Sequence, residues 1–193
     1  MQKNRLEAFS DGVLAIIITI MVLELKVPKG ADWATLSTIL PVFLSYILSF
    51  LYVGIYWNNH HHLLHTVTHV SSSVLWANLN LLFWLSLLPV TTAWAGQNNL
   101  APLPTALYGA VLLLAGLAYY ILQSAIISTQ GQNSLLKAAL GRDWKGKLSL
   151  LIYAAAVPLA FVHPWIADAL YLLVSLLWIV PDRRIERTLH QIR

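Results

Sequence analysis

The stretch Arg5–Leu25, RLEAFSDGVLAIIITIMVLEL, decides the fold. It opens with Arg5, Ser10 and Asp11 and then runs uncharged from Gly12 to Leu23. At the helical period, Phe9, Gly12/Val13, Ile16, Ile20 and Leu23 fall on one stripe. Thr19 flanks that stripe as the only hydroxyl inside the apolar run. Read as a membrane helix, the stretch places Arg5, Phe9, Ser10 and Asp11 at its entrance.

The rest of the chain supports a membrane setting. Of 193 residues, 58% are hydrophobic and 10% charged, and mean hydropathy is +0.67. A soluble domain carries about 25% charged residues. The apolar runs are continuous rather than alternating, which disfavours a β-barrel. With no cysteine, disulfides, zinc thiolates and iron–sulfur clusters are excluded. No small-residue cleavage site follows the first apolar run and an acid precedes it, so this helix is expected to be retained. The net charge of +4 comes from bases beside apolar runs, so it gives nucleic-acid binding little support.

Six spans are expected, at roughly 8–25, 37–59, 74–95, 104–127, 148–163 and 165–181. The last two are short for about 30 Å of hydrocarbon. With the N-terminus inside, Lys3, Arg5, Lys137, Arg142, Lys145, Lys147, Arg183, Arg184, Arg187 and Arg193 collect on the inner side. Lys26 and Lys29 alone lie outside, a split of ten to two among the twelve Lys and Arg residues. That bias predicts an even number of spans with both termini cytoplasmic. Residues 1–181 are expected to form the transmembrane domain. Residues 182–193 would form a basic, helical cytoplasmic tail able to anchor to anionic lipid. Pro28-Lys-Gly30 and Gly96-Gln-Asn-Asn, with Pro102 and Pro104, mark outer turns. Pro89 and Pro158 inside spans predict kinks or shielded positions.

A Ser-Asp pair ahead of an apolar run is, by itself, a helix start with Ser10 as N-cap and Asp11 at the positive helix end. The four-residue spacing of Arg5 and Phe9 offers an earlier start. Ser10 and Asp11 would then lie inside the first turns, where a carboxylate needs a partner. Arg5-x-x-x-Phe9-Ser10-Asp11 followed by G-V-x-A-I-x-x-T resembles the signature of the transmembrane protein 175 potassium channels. Trp57-x-x-His60 and Asn78 ahead of Leu88-Pro89 extend the resemblance, which covers essentially the whole chain.

The resemblance implies an all-α homotetramer of six-helix subunits in the plasma membrane, with first helices around a central potassium-permeable pore. By position, Ile16 would be the main constriction, Thr19 a threonine of the same helix, and Ile20 and Leu23 a continuation of the pore-facing stripe. Arg5, Phe9, Ser10 and Asp11 would form a structural lock, with Trp57, His60 and Asn78 as supporting polar contacts. His60 and Asn78 are the expected partners of Ser10 and Asp11. No TVGYG-type loop occurs, so a carbonyl filter is excluded. The alternative for the stripe is ordinary packing, which composition cannot distinguish.

His60, His61, His62, His65 and His69 invite a metal reading. Only His163 and His190 remain elsewhere, and no carboxylate completes a triad, so neither a metal site nor a cofactor is expected. A polar cytoplasmic loop explains the cluster more simply. No Walker motif, Ser-His-Asp set or dinucleotide fingerprint is visible, so no enzyme is predicted. The expected function is a leak-type potassium channel with a hydrophobic filter. A proton-coupled transporter is the alternative, with a histidine-metal membrane enzyme behind it.

Overall fold

The computed structural model describes residues 2–131, 136 and 143–179. The basic tail at 182–193, together with Lys137 and Arg142, lies outside the described residues. All regular structure among the described residues is helical. Five helices are long and apolar enough to cross a membrane: Lys3–Leu23, Leu40–His65, Ser72–Gln97, Pro102–Gln130 and Trp144–Val162. We number the elements α1 (Lys3–Leu23), α2 (Trp33–Thr38), α3 (Leu40–His65), α4 (Ser72–Ser86), α5 (Leu88–Gln97), α6 (Pro102–Gln130), α7 (Trp144–Val162) and α8 (Pro164–Ile179). The 16 residues of α8 rise about 24 Å, short of a full hydrocarbon thickness.

Several expected boundaries move, each for a local reason. Helix α1 starts at Lys3 with Gln2 as its N-cap, so Ser10 and Asp11 lie within the helix. It ends at Leu23 with Glu24 as C-cap, ahead of the Pro28-Lys-Gly turn. The third span is two helices joined at Leu87. Pro89 lacks an N–H and crowds the carbonyl one turn back, so a continuous helix breaks there. The Thr91 hydroxyl returns 3.2 Å bonds to the carbonyls of Leu87 and Leu88 at the break. Helix α7 runs on across Pro158, which is exposed rather than shielded. The α5–α6 turn closes as a Schellman motif. Leu100 N–H donates to Ala95 O at 2.8 Å and Asn99 N–H to Gly96 O at 3.3 Å, with Asn99 in the left-handed region at φ 51°.

Helix α6 is the central column, packed by α4, α5, α7 and α8, while α1 packs on α3, α4 and α5. Between α3, α6, α7 and α8 lies a core of buried tyrosines, with Tyr52–Tyr153 and Tyr108–Tyr171 ring centroids 6.2 and 5.7 Å apart. A buried phenol needs a hydrogen-bond partner. Tyr52 Oη donates to Tyr171 O at 2.6 Å and Tyr171 Oη to Thr105 O at 3.3 Å, tying α3 to α8 and α8 to α6. Gly109 permits this crossing: a Cβ there would lie 1.9 Å from Tyr171 Oη.

Candidate functional site

Helix α1 has two different faces. Leu6, Ser10, Leu14, Ile17 and Met21 are buried against the bundle. The opposite stripe is left uncovered by the described residues: Phe9 is 52%, Ile16 58%, Ile20 44% and Leu23 80% exposed. Gly12 and Thr19 are exposed on the same side, and the Thr19 hydroxyl turns back to Ile16 O at 2.8 Å. Arg5 is also exposed and, at 100° per residue, falls on the line of Ile16 and Leu23. In an apolar solvent such a stripe costs nothing. In an assembly it is available to other copies.

The buried face carries a polar relay. Ser10 Oγ donates to Leu6 O at 2.9 Å and accepts from Asn78 Nδ2 at 3.0 Å. Asn78 Oδ1 accepts from His60 Nε2 at 2.7 Å. All three residues are buried, with Ser10 and Asn78 fully enclosed. Each amide group of Asn78 therefore has its partner, and the relay crosses from α1 through α4 to α3. Asp11 behaves differently from expectation. It is exposed, and its Oδ1 accepts from the indole N–H of Trp57 at 3.0 Å, not from His60 or Asn78. Trp57 stands three residues before His60, one turn along the same helix, and that spacing was the available signal. At the same end, Lys3 Nζ donates to His65 O at 3.0 Å and lies 3.8 Å from Glu7.

Of the histidine cluster only His69 lies in the loop that follows α3. His60, His61, His62 and His65 occupy the last turns of α3, six residues beyond the expected end of that span. No helix breaker intervenes before Thr66. His60 faces inward to Asn78, while His61 packs edge-to-face on His65 with ring centroids 4.5 Å apart. Among the described residues no three His, Cys, Asp or Glu side chains converge on a metal position.

A sequence profile described as the endosomal/lysosomal potassium channel TMEM175 matches residues 5–89, the stretch that holds Ser10, Asp11, Trp57, His60 and Asn78. A potassium channel of Chryseobacterium sp. strain P1-3 is 56% identical over 191 residues, spanning 99% of this chain and 100% of that protein. The chain belongs to the TMEM175 family. The family and these relatives are ion channels and not enzymes. The endosomal/lysosomal proton channel TMEM175 of Mus musculus is 34% identical over 115 residues, covering 51% of this chain and 23% of that longer protein. The crystal structure of a lysosomal potassium-selective channel TMEM175 homolog from Chamaesiphon minutus superposes with a TM-score of 0.82. It is 23% identical, and the match covers 93% of this chain and 97% of that one. The fold is therefore that of a TMEM175 channel, a multi-pass membrane protein.

Proposed function

We propose that four copies of this chain form a potassium-selective leak channel in the cell membrane, with six spans per subunit and both termini cytoplasmic. The α1 stripes meet on the central axis. Ile16 forms the narrowest ring, Ile20 and Leu23 continue it outward, and Thr19 borders it. Permeant potassium replaces any cofactor. The observation that carries this reading is the pairing of faces on α1, an uncovered aliphatic stripe opposite a hydrogen-bonded buried edge. The relative named a potassium channel, alike over its full length, supports the choice of ion. A ring of isoleucines is dry when narrow and passes ions only on widening or hydration. Potassium sheds water at lower cost than sodium, which favours it modestly at such a ring. Ser10, Asn78, His60, and Asp11 with Trp57, set the rotation of α1, and Arg5 and Phe9 are exposed for contacts between subunits. Residues 1–181 form the channel domain and 182–193 a basic lipid-facing tail.

Purified protein in liposomes, under potassium or sodium gradients and with a proton-sensitive dye, tests this. Passive potassium flux should exceed sodium flux, and Ile16→Asn should raise sodium flux toward that of potassium. Flux indifferent to Ile16 overturns the filter. Animal relatives carry the name proton channel, which supports a second reading. Dye quenching that follows the proton gradient, without potassium selectivity, decides for it. Potassium movement that requires a proton gradient decides for a coupled transporter.

A further inference from the structure

Away from α1, helices α3, α5, α6 and α8 form an open cleft of about 370 Å³, with Leu44, Trp165 and Leu172 exposed along it. Its walls are mostly aliphatic, and its polar lining is Asp168, Thr105, Tyr108, Thr92 and Ser45. Two of these groups are orphaned. Asp168 Oδ2 and Thr105 Oγ1 are buried without a hydrogen-bond partner among the described residues. The Thr105 residue is wholly enclosed. Other hydroxyls in these helices find a partner, Ser45 at Pro41 O (2.9 Å), Ser124 at Tyr120 O (2.9 Å) and Ser49 at Thr92 Oγ1 (2.6 Å). Thr105 does not. Ser49 links Thr92 Oγ1 at 2.6 Å and Tyr108 Oη at 3.1 Å behind the cleft.

We propose that this cavity binds an organic ammonium group on Asp168, with the apolar body of a small lipophilic amine along the aliphatic walls. A carboxylate in an apolar span requires a counter-charge or a proton. Asp168 sits one turn past the start of α8, beyond the backbone N–H groups that would otherwise face it. A bare metal ion fits the lining poorly, because hard cations take six or more oxygens at contact distance. This cavity offers one carboxylate and scattered hydroxyls in a volume typical of a small-molecule pocket. Trp165 at its exposed mouth adds a ring face for the cation.

The test is calorimetric titration of the detergent-purified full chain with hexylammonium, with hexanol as the uncharged control. Wild type should bind hexylammonium saturably and at least tenfold more tightly than hexanol. Asp168→Asn, which keeps the shape and removes the charge, should lose that preference. Leu172→Trp, at an exposed position on the cavity rim, should block binding while leaving the acid in place. A lipid could supply the same group. Phosphatidylethanolamine that survives purification of wild type, is displaced by hexylammonium and is absent from Asp168→Asn would support the ammonium site with lipid as its source. Equal affinity in wild type and Asp168→Asn would overturn the proposal. So would the absence of both saturable binding and retained phosphatidylethanolamine. None of these readouts depends on ion flux.

Discussion

Asn78→Leu separates the relay from simple packing, because leucine keeps the branched skeleton of asparagine, at a slightly larger volume, and removes both hydrogen-bonding atoms. The substitution removes the bond to Ser10, worth about 1 kcal/mol. Ser10 keeps its bond to Leu6 O and is not orphaned. His60 fares worse. It is 2% exposed, and an unpaired buried donor there costs about 1–3 kcal/mol. The total is about 2–4 kcal/mol, or a fall in Tm of about 4–16 °C for a chain of this size. Intrinsic tryptophan fluorescence during heating in detergent at pH 8 reads that shift. Adding His60→Leu removes the orphan, so the double variant should lose less than the two singles combined, with a coupling of about 1–2 kcal/mol. Strict additivity, or an Asn78→Leu variant as stable as wild type, would refute the relay as a structural element.

Other tests reach different parts of the molecule. Gly109→Ala should destabilise by about 1–3 kcal/mol through collision with Tyr171, despite a helix-propensity gain of about 1 kcal/mol, and Tyr171→Phe should recover part of the loss in Tm. Asp32, in the loop before α2, has its carboxyl held below the ordinary range by the Thr35 side chain first and then by the Thr35 N–H, which donates to it at 2.7 Å. Its capping is therefore complete above the ordinary carboxylate value of about 4 and lost only as pH falls through the lower folded value. Protection of the Thr35 amide against exchange across a pH series should follow that order. The cysteine-free sequence allows single labels. Lys29→Cys should react with an impermeant maleimide on intact cells and Gln2→Cys only after lysis.

The architecture was legible because membrane spans are written in long apolar runs, and the stripe on α1 because a helix repeats its faces at a regular interval. The end of α3 was not. A run of histidines looks like a polar loop, yet nothing in Asn58-Asn59-His60-His61-His62 forbids another turn of helix, and the burial of His60 against Asn78 favours it. The partners of Ser10 were within reach of the family pattern. Asp11 was misjudged, since hydrogen bonding depends on which face of α3 meets α1 and Trp57 is closer on that face. Asp168 is the only charged residue between His163 and Pro181, yet sequence alone gives it no partner. Its unpaired state depends on side chains from four helices, which no local pattern encodes.

Among the described residues, helix α1 is hydrogen-bonded to its neighbours at one end only. Beyond Ser10 and Asp11, its buried contacts are the apolar side chains of Leu14, Ile17 and Met21, which resist separation but set no direction. Such an element is a cantilever. Leu23 lies 13 residues, or about 20 Å, from the root at Ser10, so a tilt of about 3° at the root carries the tip sideways by about 1 Å. A displacement too small to break any bond in the relay thus becomes, at Ile20 and Leu23, comparable to the difference between a side chain that touches its neighbour and one that does not.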